Sequence, residues 1–119
     1  MADYLPQTYE IPACVSGDTF PGLRISSVTI NGAAPTTALA SVRVDFRTAP
    51  DAAAAALSLN SSSSGITINN NATWDFELDA FAITLDADCY FYDIETTDSG
   101  GTVRTYLRGS WTVAQDTTR

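Results

Sequence analysis

Residues 89–113 read CYFYDIETTDSGGTVRTYLRGSWTV, and the period of this stretch decides the fold. Tyr90, Tyr92 and Ile94 alternate with Cys89, Asp93 and Glu95. Further on, Val103, Thr105, Leu107, Gly109, Trp111 and Val113 alternate with Arg104, Tyr106, Arg108, Ser110 and Thr112. A period of two marks a strand with one buried face and one wet face. Between the two runs lies Asp98-Ser99-Gly100-Gly101, which reads as a short hairpin turn with a glycine at positive φ.

The same period recurs upstream. Val42, Val44 and Phe46 alternate with Arg43, Asp45 and Arg47, and Trp74, Phe76 and Leu78 with Asp75, Glu77 and Asp79. Shorter candidates are Tyr9–Val15, Leu23–Ile30 and Gly65–Ile68. Turn signals separate them at Ser16-Gly17-Asp18, Phe20-Pro21-Gly22 and Asn31-Gly32. About seven short strands at this spacing predict an all-β, antiparallel sandwich. Two stretches depart from the pattern. Pro50 to Leu57, with its alanine run, is expected to make one or two helical turns that cross between the sheets. Asn60-Ser61-Ser62-Ser63-Ser64-Gly65 reads as a flexible loop.

At 119 residues the chain fits one domain over 1–119, with residues 1–7 as an extended arm and 115–119 as a frayed tail. The arm carries Tyr4, Leu5 and Pro6, apolar residues that either cap the sandwich or meet a partner. The start, MADYLPQTYEIP, has neither the basic nor the apolar region of a signal peptide. The longest apolar run, Ala52 to Leu57, is too short to span a bilayer. The expectation is a soluble chain made in a cytoplasm. There the glycosylation patterns at Asn60 and Asn71 are chance matches.

Charge and residue types narrow the chemistry. Fourteen acidic residues face six basic ones, all Arg, for a net charge of −8 with no His. That excludes His-based acid–base catalysis, a Ser-His-Asp or Cys-His system and any His metal site. It also disfavours nucleic acid, which needs a basic footprint. Cys14 and Cys89 fall on the outward phase of their strands, which favours two unpaired thiols over an intersheet bridge. Asp75, Glu77 and Asp79 read as a solvated face paired to Arg43, Arg47, Arg104 or Arg108, not as a glycosidase pair. Asp86 and Asp88, with Asp79, read as a charged turn and lack the spacing of a calcium loop. No serine, thiol or glycine-rich loop has the partners its chemistry needs. No catalytic residue, cofactor or metal is therefore assigned, and an enzyme is not expected.

The aromatics are divided. Trp74, Trp111, Phe46, Phe76, Tyr90 and Tyr92 fall on the inward phase and should form the core. Phe81, Phe91 and Tyr106 are less clearly inward. Tyr106, between Arg104 and Arg108 on the wet face, is the leading contact candidate; otherwise it shields the sheet across a strand pair.

Several motifs together carry a family pattern. In order they are Gly17-Asp18-Thr19-Phe20-Pro21, Val42 to Arg47, Gly65-Ile66-Thr67-Ile68, Trp74-Asp75-Phe76, Cys89 to Glu95, the Asp98–Gly101 turn, Leu107 to Val113, and Asp116-Thr117-Thr118-Arg119. This order resembles the small immunoglobulin-like domains of tailed-phage virion proteins, and in particular the N-terminal domain of the baseplate upper protein (BppU-type) family. The resemblance covers nearly the whole chain and rests on turn and strand consensus. It implies an immunoglobulin-like sandwich and a non-enzymatic structural role in a virion, as adaptor, decoration, or baseplate or tail component. It implies partners among other virion proteins and a homo-oligomer, a trimer or a ring. Family members often continue into a long helix or a receptor-binding module. Because this sequence stops at Arg119, a stand-alone subunit is expected. The competing expectation is a free-standing module for a glycan or cell surface, resting on Tyr106, Phe81 and the serine-rich loop.

Overall fold

The computed structural model describes residues 7–26, 28–29 and 32–115. Along them run β1 (Gln7–Thr8), β2 (Ile11–Val15), β3 (Thr19–Phe20), β4 (Leu23–Ile25), β5 (Leu39–Arg47), β6 (Leu57–Asn60), β7 (Ile66–Asn70), β8 (Asp75–Leu78), β9 (Phe81–Ala82), β10 (Asp88–Asp98) and β11 (Val103–Ala114). Each of the seven expected strands has a counterpart, although the second is shorter, ending at Ile25. The large sheet has the order β1–β11–β10–β5–β6, with β2 also on β11; β4–β8–β7 form a second sheet and β3–β9 a two-stranded ribbon.

One core serves all three. Val44, Phe46, Phe76, Leu78, Ile94 and Trp111 are among its most deeply buried apolar residues, and they come from both sheets. The Trp111 ring lies 5.3 Å from Phe46 and 5.4 Å from Phe20, so the ribbon closes one end of the core. The β10–β11 hairpin closes as expected, with Gly101 at φ 86°. The buried Tyr90 and Tyr92 rings each keep a hydroxyl partner. Tyr90 donates to the Asp86 carbonyl and Tyr92 to the Tyr9 carbonyl, both at 2.6 Å.

Four expectations are corrected. First, the sheet is mixed: β1 and β2 both run parallel to β11. The link between them passes over Gly109, where an added Cβ would overlap the Tyr9 carbonyl. Second, no helix forms over 50–57. A single turn closes at Ala52 N to Ala49 O, then Ala56 N bonds to Phe46 O at 2.7 Å and Leu57 pairs with Phe46. A helix this short must meet its nucleation cost alone, whereas pairing with β5 gives backbone groups ladder partners at once. The segment thus returns within the same sheet, and the crossing to the second sheet follows β6. Third, that crossing is a hydrogen-bonded turn. The Asn60 side-chain carbonyl accepts the amides of Ser62 and Ser63, and Val42 N donates to the Ser61 hydroxyl at 2.9 Å. Fourth, Trp74 is no strand residue. It is buried as expected, but at φ 59° in the turn before β8, with its Nε1–H on the Thr37 carbonyl at 2.6 Å.

Candidate functional site

The contact residues expected from the sequence are scattered by the fold. Tyr4 and Leu5 lie outside the described residues. Phe81, in β9, is half-buried and packs tilted on Phe20 with ring centres 4.9 Å apart, so much of its ring serves the core cap. Arg104, Tyr106 and Arg108 do not form a wet-face triplet. A register shift follows the Ile94–Leu107 pair, and Glu95 then faces Thr105. Tyr106 is the extra residue of this bulge, and a bulge reverses the alternation beyond it. Val103 is therefore 56% exposed, against its expected burial. Arg104 turns to the buried Asp98, with Nη1 3.3 Å from Oδ2. Tyr106 packs partly against the core, where burial raises its phenol. Arg108 alone of the three is exposed on the outer face.

A second register shift, in β2, reverses the side expected of Cys14. Ala13 is exposed and Cys14 packs partly against the core. Cys89 is exposed, and both thiols are free.

The outer face of the large sheet collects what the fold leaves toward solvent on β5, β10 and β11. Across the three strands the rows are Arg47–Phe91–Ser110, Asp45–Asp93–Arg108 and Arg43–Glu95–Thr105. A groove of about 420 Å³ runs along this face between Thr8 and Glu10 on one side and Arg47 and Pro50 on the other. Phe91, 38% exposed, and Asp93 are among the residues that line it. A second hollow of about 290 Å³ continues it over Arg43, Asp45, Arg47, Asp93 and Glu95.

The charges of this face fall into two groups. Asp45 is fully committed. It takes Arg43 and Arg47, each at 3.1 Å, and the Ser58 hydroxyl at 2.7 Å. Partial burial acts to raise its carboxyl, but Ser58 and the two guanidiniums outweigh that and hold it below the usual carboxylate value. A carboxylate held ionised in this way is no proton donor near neutral pH. Glu10, Asp93, Glu95 and Arg108 form no ion pair among the described residues. Asp93 faces Asp45 directly, so two like charges stand side by side across the strands. The arrangement is suited to binding a surface of complementary charge.

The other expected carboxylates are dispersed. Asp75 pairs with Arg24 at 2.7 Å, and not with the arginines of the large sheet, because β8 lies in the other sheet. Asp79 accepts the Thr67 hydroxyl at 2.7 Å. No group of three or more Cys, Asp or Glu side chains able to hold a metal ion occurs among the described residues. No helix long and apolar enough to cross a membrane occurs among them. At the far end of β10, Asp98 accepts the amides of Thr102 and Gly100 and the Arg104 guanidinium. The Thr102 amide above all holds its carboxyl below the usual value, with burial opposing.

Sequence reasoning missed Asp45, Phe91, Asp93 and Glu95 as one surface. Their outward phase was readable, but the pairing of β5 with β10 was not. The sequence matches no protein-family model and no curated protein.

Proposed function

We propose that this chain is an immunoglobulin-like module that acts by protein–protein assembly, in the virion setting to which its motifs point. The observation that carries the reading is the strand order. In immunoglobulin domains the third, sixth and seventh strands share one sheet, and the second, fifth and fourth share the other; variable-type domains add a strand beside the third. Counted over the seven strands expected from the sequence, β5–β10–β11 and β4–β8–β7 follow that order, and β6 is the addition. Tyr90 adds support. It stands near the start of the sixth strand with its hydroxyl on a carbonyl four residues upstream, as in the tyrosine corner of such sandwiches. This agreement is independent of the motif resemblance, which used no pairing order.

The work of such a module lies in its surfaces and termini. The outer face of the large sheet offers one surface, and the arm of residues 1–7 offers another. On this reading the arm joins copies of the chain into a trimer or ring. Deleting residues 1–7 should leave a folded monomer by circular dichroism and chemical cross-linking, where the full chain cross-links to a closed oligomer. A deletion variant that still assembles would remove the arm from the account. The second reading, a glycan- or cell-surface-binding module, has less support, because Phe81 and Tyr106 are both partly buried against the core.

A further inference from the structure

We infer that the outer face of the large sheet docks an extended basic segment of a partner protein, an inference that rests on the assembly reading and gives its partner a chemistry. Three observations lead there. The first is shape: the groove along β10 lies open between β1 and the loop after β5, and it holds the exposed Phe91 ring. The second is the state of its charges. Arg43 and Arg47 both turn to the single carboxylate Asp45, which leaves Glu10, Asp93 and Glu95 without an ion pair beside Arg108, and the four carboxylates exceed the three guanidiniums of the face by one. The face therefore presents net negative charge in a chain that is already at −8. The third is spacing. Phe91, Asp93 and Glu95 point outward from successive alternate positions of one strand, roughly 7 Å apart.

A second copy of the chain is a poor occupant: the same face would bring the same carboxylates against these, and any other face belongs to a chain at −8 whose only cations are six Arg. A partner segment in extended form matches better. Its side chains also repeat every second residue, so one apolar side chain can meet Phe91 while two Arg or Lys side chains meet Asp93 and Glu95. A guanidinium beside Phe91 also gains from the ring face. Charge complementarity of this kind sets specificity and on-rate, and salt weakens it.

The test uses the full chain and four fluorescent nonapeptides, with binding followed by anisotropy at two salt concentrations. GSLTRTRSG and its reverse, GSRTRTLSG, carry the spacing in the two possible directions. GSLRRTTSG keeps the charge and loses the period, and GSLTETESG reverses the charge. One of the first two peptides should bind at least tenfold more tightly than the last two, and more weakly at high salt. Asp93→Asn with Glu95→Gln should weaken it tenfold or more, and Phe91→Ser should also weaken it. Asp51→Asn, outside the groove, should leave it unchanged. No binding by either spaced peptide, equal binding of the control peptides, or indifference to the groove variants each overturns the inference. So does binding of neutral oligosaccharides in place of peptide. If the peptides fail while the chain still forms its closed assembly, only this partner assignment falls. If a permanent monomer binds the spaced peptide, the docking face stands and self-assembly falls.

Discussion

Gly109→Ala should detach the N-terminal strands from the large sheet. The new methyl would occupy the position of the Tyr9 carbonyl, and Tyr92 closes the other side with its ring edge 3.2 Å away. Backbone must therefore separate. Three things go with it: the Tyr9 N–Arg108 O bond of 2.8 Å, the Tyr92 hydroxyl's bond to Tyr9 O of 2.6 Å, and the pairing of β1. Each hydrogen bond contributes about 1 kcal/mol, and a stranded buried hydroxyl costs about 1–3 kcal/mol. The loss is together about 3–4 kcal/mol, a large share of the roughly 5–15 kcal/mol that holds a domain folded. For a chain of this size it lowers Tm by roughly 12–20 °C. The assay is urea unfolding followed by the fluorescence of Trp74 and Trp111, both buried. Tyr92→Phe alone should cost about 1–2 kcal/mol. In the double variant that cost should largely vanish, because the carbonyl it served has already moved, giving a coupling of about 1 kcal/mol. A Gly109→Ala cost under about 1 kcal/mol, or strict additivity with Tyr92→Phe, would refute the crossing described here.

Other consequences follow from the same contacts. Tyr90→Phe should cost about 1 kcal/mol in the same unfolding assay, because only the bond to Asp86 O is lost. Asp98→Ala should lower Tm more than Asp98→Asn, since the amide keeps an oxygen for the Gly100 and Thr102 N–H groups while losing the Arg104 ion pair. Asp45 and Asp98 both have folded-state values below the ordinary 3.8. Their contribution is complete above that value and is lost as pH falls below it, so the urea midpoint should stay flat near neutrality and drop below about pH 4. The phenols of Tyr90, Tyr92 and Tyr106 are raised from 10.0, chiefly by burial. Stability should therefore fall again above about pH 10, and their tyrosinate absorbance should appear together with unfolding.

Much of the fold was legible because alternation survives in the strands that make the core. Val42, Val44 and Phe46 on β5, and Tyr90, Tyr92 and Ile94 on β10, lie inward as their period requires. Alternation fails where a bulge resets it, and a bulge leaves no local mark. Nothing in the run from Val103 to Leu107 announces that Tyr106 is the extra residue, so strict alternation puts Arg104 and Val103 on the wrong sides. By alternation Gly109 is one more inward position, whereas its role is the close approach of the distant Tyr9 backbone, a fact of tertiary contact. The alanine run over 52–56 has helical propensity, and pairing with β5 overrode it. The outer face was hidden for a different reason. Its members were each visible as wet-face residues, but only the register of β5, β10 and β11 brings Asp45, Asp93 and Arg108 into one row.

The central claim is that the chain works as a part of an assembly, and its absolute mass in solution tests that most directly. Light scattering across a concentration series should give a plateau at three or more copies of the 12.7 kDa chain, independent of further concentration. A mass of one chain at every concentration would contradict self-assembly, leaving only docking onto a different partner.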